Sequence, residues 1–170
     1  MLQRFYPDNE VENAYDIDYE SLYKKGYRGV IFDIDNTLVP HGAPADDRAI
    51  ALFERLRKIG YRTVLLSNNK EPRVKPFADN VGSLYVFKAG KPGGKGYAKA
   101  MTDMGTEPAN TLFVGDQLFT DVWGAKRMKI VTYLVKPIHP KEEIQIVLKR
   151  RLEWVVLFFY HRKKRQGRLL

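Results

Sequence analysis

Short apolar runs and longer stretches with apolar residues every three or four positions alternate along this chain. The first run, Arg28-Gly-Val-Ile-Phe-Asp33, is rich in β-branched and aromatic residues and reads as a strand buried on both faces. Tyr61–Leu66, Leu84–Phe87, Thr111–Val114 and Ile130–Val135 repeat the pattern. Between them, Asp46 or Asp47 caps a helix with Ile50, Phe53, Leu56 and Ile59 on one face and Gly60 as its stop. Glu71–Asn80, Pro92–Met104 and Thr120–Lys129 read as further helices, with Pro92 suited to a first turn. Tyr19–Lys25 reads as a short helix ended by Gly26, and nothing before Tyr15 has a clear period. Alternation of this kind predicts an α/β fold with five parallel strands. Such sheets bind ligands at the carboxyl ends of their strands, so polar residues just after each strand are the ones to inspect.

Those positions are occupied by chemistry. Asp33-Ile34-Asp35-Asn36-Thr37-Leu38 follows the first strand, and residues two apart on extended chain project to one side. Ser67-Asn68-Asn69 follows the second strand, Lys91-Pro92 the third, and Gly115-Asp116-Gln117-Leu118-Phe119-Thr120-Asp121 the fourth. One carboxylate can attack phosphorus and form an aspartyl-phosphate, which divides one hard hydrolysis into two easier steps. Asp33 and Asp116 are hard oxygen ligands suited to Mg²⁺, which neutralises the phosphoryl charge. Asp35 can protonate the leaving oxygen and later deprotonate water. Lys91 supplies positive charge, while the Ser67 hydroxyl and loop amides supply hydrogen bonds.

Each position also has a plainer reading. Thr120 serves as a helix N-cap and Asp121 as a first-turn acid, Asn68 and Asn69 as caps of the next helix, and Gly115 as a turn residue. Lys88 and Lys95 compete with Lys91 for the phosphate role. The glycines at 90, 93, 94 and 96 miss the nucleotide-binding GxxxxGK[ST] spacing, so a P-loop is rejected. His41, His139 and His161 share no ligand spacing and read as surface residues.

The composition narrows the classes. There are 170 residues, 44% of them apolar, and no cysteine, which excludes disulfides and thiolate metal sites. MLQRFYPDNE lacks the pattern of a secretory signal, and no apolar run is long enough to span a bilayer, so a cytoplasmic location is expected. The net charge of +9 serves solubility or an anionic partner: a phosphorylated substrate, an acidic membrane surface or nucleic acid. The run Leu152–Tyr160 is intensely apolar and is followed by HRKKRQGRLL, with five Lys or Arg and no acid. It reads as a last helix packed on the sheet, or as an interfacial element with basic residues on anionic headgroups.

Together the four clusters resemble the motifs of the haloacid dehalogenase (HAD) superfamily: DIDNTL the first, Ser67 the second, Lys91 the third and GDQLFTD the fourth, in the correct order. The resemblance implies a Rossmann-like, three-layer fold with Asp33 as nucleophile and Asp35 as general acid/base. It also implies Asp33, Asp116 and the Asp35 main-chain carbonyl as Mg²⁺ ligands, with Asp121 bonded to metal-bound water. Ser67, Asn68 and Lys91 would hold the substrate phosphate. The short basic chain with its SNN and KAGKP strings is similar to the YqeG-type phosphatases of HAD subfamily IIIA. That group is similar to mitochondrial phosphatases acting on phosphatidylglycerophosphate. Residues 1–170 are then one such domain, with a basic aromatic C-terminal segment at 143–170. Asp33 and Ser67 are 34 positions apart and Ser67 and Lys91 only 24, which leaves no room for a lid domain. A capless, open site suits a phosphate carried on something large: a lipid headgroup, a protein or a nucleic-acid end. The other class open to the sequence is a basic adaptor that binds RNA or ribosomes and keeps only the fold.

Overall fold

The structure is a computed structural model that describes residues 2–139 and 144–167, with backbone alone for 144–148. Six strands form one parallel sheet: β1 (Asn9–Val11), β2 (Gly29–Phe32), β3 (Arg62–Leu66), β4 (Leu84–Val86), β5 (Thr111–Gly115) and β6 (Val131–Val135). Their order across the sheet is β1-β6-β5-β2-β3-β4, so β2 and β5 lie at the centre. The five expected strands are all present. The sixth, β1, has only three residues, Asn-Glu-Val, and pairs Asn9 with Tyr133 and Val11 with Val135. So short an edge strand carries no period of its own and is defined by its partner, which is why the N-terminal stretch looked featureless.

Alternate residues of the central strands fill opposite cores. Val30, Phe32, Leu65, Leu112 and Val114 face α1 (Tyr19–Lys24), α2 (Asp47–Ile59) and α3 (Glu71–Val81). Ile31, Val64, Leu66 and Phe113 face α4 (Gly94–Met104) and α5 (Trp123–Arg127). This gives the expected three layers, with one helix between β2 and β3 and one between β3 and β4. The buried stripe of α2 is Ala49, Leu52, Phe53 and Leu56, one residue round from the expected face; Ile50 and Ile59 lie at its edge. Asp46 accepts from the Ala49 amide at 2.8 Å, and Gly60 closes α2 at φ 114°, a conformation side chains resist.

Two expectations need correction. Helix α4 begins at Gly94 with Gly93 as its cap, so Pro92 stands outside the first turn and Lys91 is not held at a helix start. The stretch after β5 is a π-helical turn, Leu118–Val122, continued by α5, and Thr120 lies inside that turn rather than capping it. A π turn has no 3.6-residue signature to read. The last helix, α6 (Ile144–Arg165), buries Val156 and Tyr160 against Tyr6, Leu118, Val122 and Leu134, and buries Glu153, which accepts the Phe119 amide. The expectations for Met1, residue 143 and the last three positions, 168–170, fall outside the described residues. No described helix is long and apolar enough to cross a membrane.

Candidate active site

Every predicted site residue lies at the carboxyl edge of the sheet. Asp33 leaves β2 with its amide bonded to the Val114 carbonyl at 3.0 Å, so its place is fixed by the central strand pair. Asn36 then turns the chain at φ 62°, a left-handed conformation that Asn tolerates, and its amide reaches the Val39 carbonyl at 2.8 Å. The turn folds Asp35 and Thr37 back to the site, where Thr37 Oγ1 bridges Asp116 Oδ1 at 3.1 Å and Asp33 Oδ2 at 3.4 Å. An open cavity of about 260 Å³ is lined by Asp33, Asp35, Ser67, Asn68, Asn69, Lys91, Gln117, Thr120, His41 and Lys149.

At its floor the charges are buried together. Lys91 Nζ donates to Asp33 Oδ1 at 2.6 Å and to Asp121 Oδ1 at 2.7 Å, with only 4% of the Lys91 side chain exposed. Burial works against the ammonium, but Asp121 and Asp33 outweigh it and hold Lys91 charged well above its ordinary range. Burial also pushes Asp33 up to about 6 despite Lys91, with Asp121 adding to the shift. Asp116 is pushed well above the carboxylate range by burial and then by Asp33 and Asp121, against the pull of Arg150. Lys88 and Lys95 are exposed, which leaves Lys91 as the lysine at this floor.

Asp121 lies in the first turn of the π-helical segment, as its plainer reading has it, and is tied down there: its Oδ2 accepts the Gln117 amide at 3.1 Å. Gly115 permits this approach, because a Cβ there would sit 2.6 Å from Asp121 Oδ2. The glycine ends β5 and makes room for a carboxylate, where the sequence offered only a turn residue.

Asn68 spans the main chain of Lys91, accepting from its amide at 2.7 Å and donating to its carbonyl at 3.1 Å. Asn68 and Asn69 do not cap α3, whose cap is Lys70. Ser67 Oγ accepts the Asn69 amide at 3.1 Å, which leaves the hydroxyl proton for another acceptor. Asp35 is held by three donors: Gly42 N at 2.7 Å, Asn69 Nδ2 at 2.7 Å and Arg73 Nη2 at 2.9 Å.

Arg73 and Arg150 were not singled out from the sequence. Arg73 sits in the first turn of α3, six residues past Ser67, where a basic residue reads as ordinary surface. Arg150 comes from α6 and pairs with Asp116 through its carboxylate and its carbonyl, and with Glu153 at 3.2 Å. Nothing in local spacing links positions 116 and 150.

One oxygen from each of Asp33, Asp116 and Asp121 lies within 4.8 Å of the others, and all three residues are buried. The three carboxylates face two cations, Lys91 and Arg150, and burial, with the neighbouring carboxylates adding to it, raises Asp33 and Asp116. An all-oxygen, electron-rich cluster of this kind fits a hard divalent ion.

A parallel open sheet carrying such a cluster at its carboxyl edge is the ligand-binding architecture of an α/β protein. This chain belongs to the haloacid dehalogenase-like hydrolase family, which matches residues 42–129. It is similar to Probable phosphatase YqeG of Bacillus subtilis, 36% identical over 165 residues and 96% of each chain. It is also similar to Phosphatidylglycerophosphate phosphatase 1, chloroplastic/mitochondrial, of Arabidopsis thaliana, 29% identical over 92% of this chain. The alignment takes in 48% of that protein, so this chain spans about half its length. The same fold appears in a predicted HAD-like family hydrolase from Porphyromonas gingivalis, with TM-score 0.52 at 14% identity, covering 73% of this chain and 97% of the other. The family and the relatives' names agree with the enzyme class read from the four motifs, a HAD-type phosphatase.

Proposed function

We propose that this enzyme hydrolyses a phosphomonoester through an aspartyl-phosphate on Asp33. The observation that carries the reading is the buried Asp33–Lys91–Asp121 cluster, open to a cavity on which Asp35 and Ser67 also border. Asp33 and Asp116, with the Asp35 main-chain carbonyl, would hold Mg²⁺. When bound, that ion neutralises phosphoryl charge and orients the group for in-line displacement.

An Asp33 oxygen attacks phosphorus, and the bond to the leaving oxygen breaks. Asp35 gives that oxygen a proton, exchanging one of its three present donors for the substrate. Water then attacks the same phosphorus, Asp35 takes the proton, and the Asp33–phosphorus bond breaks to release phosphate. Lys91 neutralises part of the phosphoryl charge, and Ser67 donates its free hydroxyl proton to a phosphoryl oxygen. Asn68 positions Lys91 by holding its main chain, a use of the amide that competes with the direct phosphate contact expected from the motif. Asp121 keeps the Lys91 ammonium aimed at Asp33 and would accept from water on the bound ion.

A large phosphorylated substrate fits the absence of a lid between β2 and β4. Phosphatidylglycerophosphate is the leading candidate, because two relatives are named for that activity. A phosphate-release screen over lipid, peptide and oligonucleotide phosphomonoesters tests the choice. Asp33→Asn is the control: full turnover in that variant would end the mechanism, and preference for a peptide or oligonucleotide would end the lipid assignment.

A further inference from the structure

Helix α6 has two faces of different character. Glu153, Val156 and Tyr160 are buried, while Leu152, Trp154, Val155, Phe158 and Phe159 are between 41% and 68% exposed. Trp154 and Phe158 stack on each other, 6.1 Å between ring centres, instead of on the core. Arg151, Arg162 and Arg165 are exposed among them, and no acidic residue occurs between Trp154 and Gly167. Five exposed large apolar side chains on one helix exceed the scatter expected of a solvated surface.

Where this face lies gives it meaning. At its start α6 borders the catalytic cavity, with Lys149 lining it and Arg150 on Asp116. Trp154 follows one turn later. Two more exposed apolar side chains, Phe87 after β4 and Ile138 after β6, stand at the same carboxyl edge, with exposed Lys88 beside Phe87. The edge that opens the site is therefore fringed with apolar and basic groups.

We infer that the outward face of α6, with the carboxyl edge of the sheet beside it, docks on an anionic phospholipid bilayer. Trp154, Phe158 and Phe159 would enter the headgroup–acyl boundary, and Arg151, Arg162 and Arg165 would meet lipid phosphates. Charge complementarity selects this occupant. A second copy of the chain laid on the same face would bring arginines against arginines with no acid to receive them. Nucleic acid would satisfy the arginines but leaves Leu152 and Val155 without a role.

Vesicle binding is read without turnover, so this inference and the catalytic reading can fail separately. The full chain is mixed with phosphatidylcholine vesicles, with and without about 30 mol % phosphatidylglycerol, and bound protein is measured by flotation. In a Trp123→Phe background, fluorescence reports on Trp154 alone. Binding and a blue shift are expected only with the anionic vesicles, weakening as salt rises from about 0.02 M to about 0.5 M. Trp154→Ser/Phe158→Ser and, separately, Arg162→Gln/Arg165→Gln should each weaken partitioning by about tenfold or more. Both pairs should keep the thermal midpoint and turnover of a soluble aryl phosphate. No binding of the intact chain at low salt would overturn the inference. So would equal binding to neutral vesicles, loss of the exposed face in a dimer seen by sedimentation, or an oligonucleotide that displaces the vesicles.

Discussion

Two corners of the charged cluster each place a cation on a carboxylate, and they are built differently. At one, Lys91 rises from the loop after β4, its main chain held by Asn68 and its ammonium shared by Asp33 and Asp121, with 4% of the side chain exposed. At the other, Arg150 reaches Asp116 from α6, the last helix, and is 20% exposed. The Lys91 corner is made inside the core, at the carboxyl ends of β2, β4 and β5. The Arg150 corner depends on where a peripheral helix lies. The difference predicts that Lys91 stays in place through every state of the site, whereas another cation can replace Arg150 at Asp116.

The largest effect tests the Lys91 corner. Lys91→Met leaves Asp33 and Asp121 buried without their cation, which should cost about 3–5 kcal/mol of stability and lower kcat by at least about a thousandfold. Asp33→Asn should remove turnover to the same degree while sparing the fold, because an amide still accepts from Lys91. Thermal melts and phosphate release read the two apart. If Lys91→Met melted like the parent, the ammonium would not be the permanent counter-ion described.

The next effect is smaller and steric. Gly115→Ala puts a methyl 2.6 Å from Asp121 Oδ2, so either Asp121 or the end of β5 must move. A stability loss of about 1–3 kcal/mol is expected, with kcat falling because Lys91 loses its second carboxylate. A variant that melts lower but turns over normally would show that Asp121 does not aim Lys91.

These two corners also separate what the sequence revealed from what it hid. That Asp33, Asp35, Ser67, Lys91, Asp116 and Asp121 converge was legible because each follows a strand, and strand exits meet on one edge in a parallel sheet. The strands themselves were legible because residues such as Val30, Ile31 and Phe32 are apolar on both faces. Arg150 was not legible: a helix meeting a loop is a tertiary contact between positions 34 apart, with no period to announce it. The amphipathic character of α6 was blurred for a related reason. Apolar residues occupy both its buried and its exposed sides, so Leu152–Tyr160 reads as one continuous run until Val156 and Tyr160 are seen in the core.

Proton linkage sharpens the comparison on the metal side. Asp33 rises to about 6 in the folded chain from an ordinary 3.8, so between these values the folded state holds a proton that the unfolded state has released. This contribution to stability is present in full below about 4 and is lost as pH rises through about 6. A divalent ion takes the ionised carboxylate, so its own stabilisation must run the other way. The rise in thermal midpoint on adding Mg²⁺ should be small at about pH 5 and larger at about pH 7.5, measured by scanning calorimetry with EDTA as reference. A rise that shrinks with pH would place the ion away from Asp33.

The smallest effect tests the Arg150 corner. Asp116 is held by Thr37 as well as by Arg150, so removing the guanidinium leaves the carboxylate in place with one charge fewer opposing a metal. Arg150→Gln should therefore tighten Mg²⁺ binding, by about three- to tenfold in isothermal titration at low ionic strength, because the ion no longer displaces a resident cation. The reciprocal effect follows from the same linkage: Mg²⁺ should loosen the Arg150 end of α6 in the parent chain, and Trp154, one turn along, should report it as a fluorescence change absent from Arg150→Gln. Lys91→Arg offers the contrast, since a bulkier cation in the closed corner should weaken Mg²⁺ through misplacement of Asp33. Tighter metal binding from the change at 150 and weaker binding from the change at 91 would fix the two cations as different in kind. Equal loss at both would make Arg150 a structural tie like Lys91, and the contrast between the corners would be withdrawn.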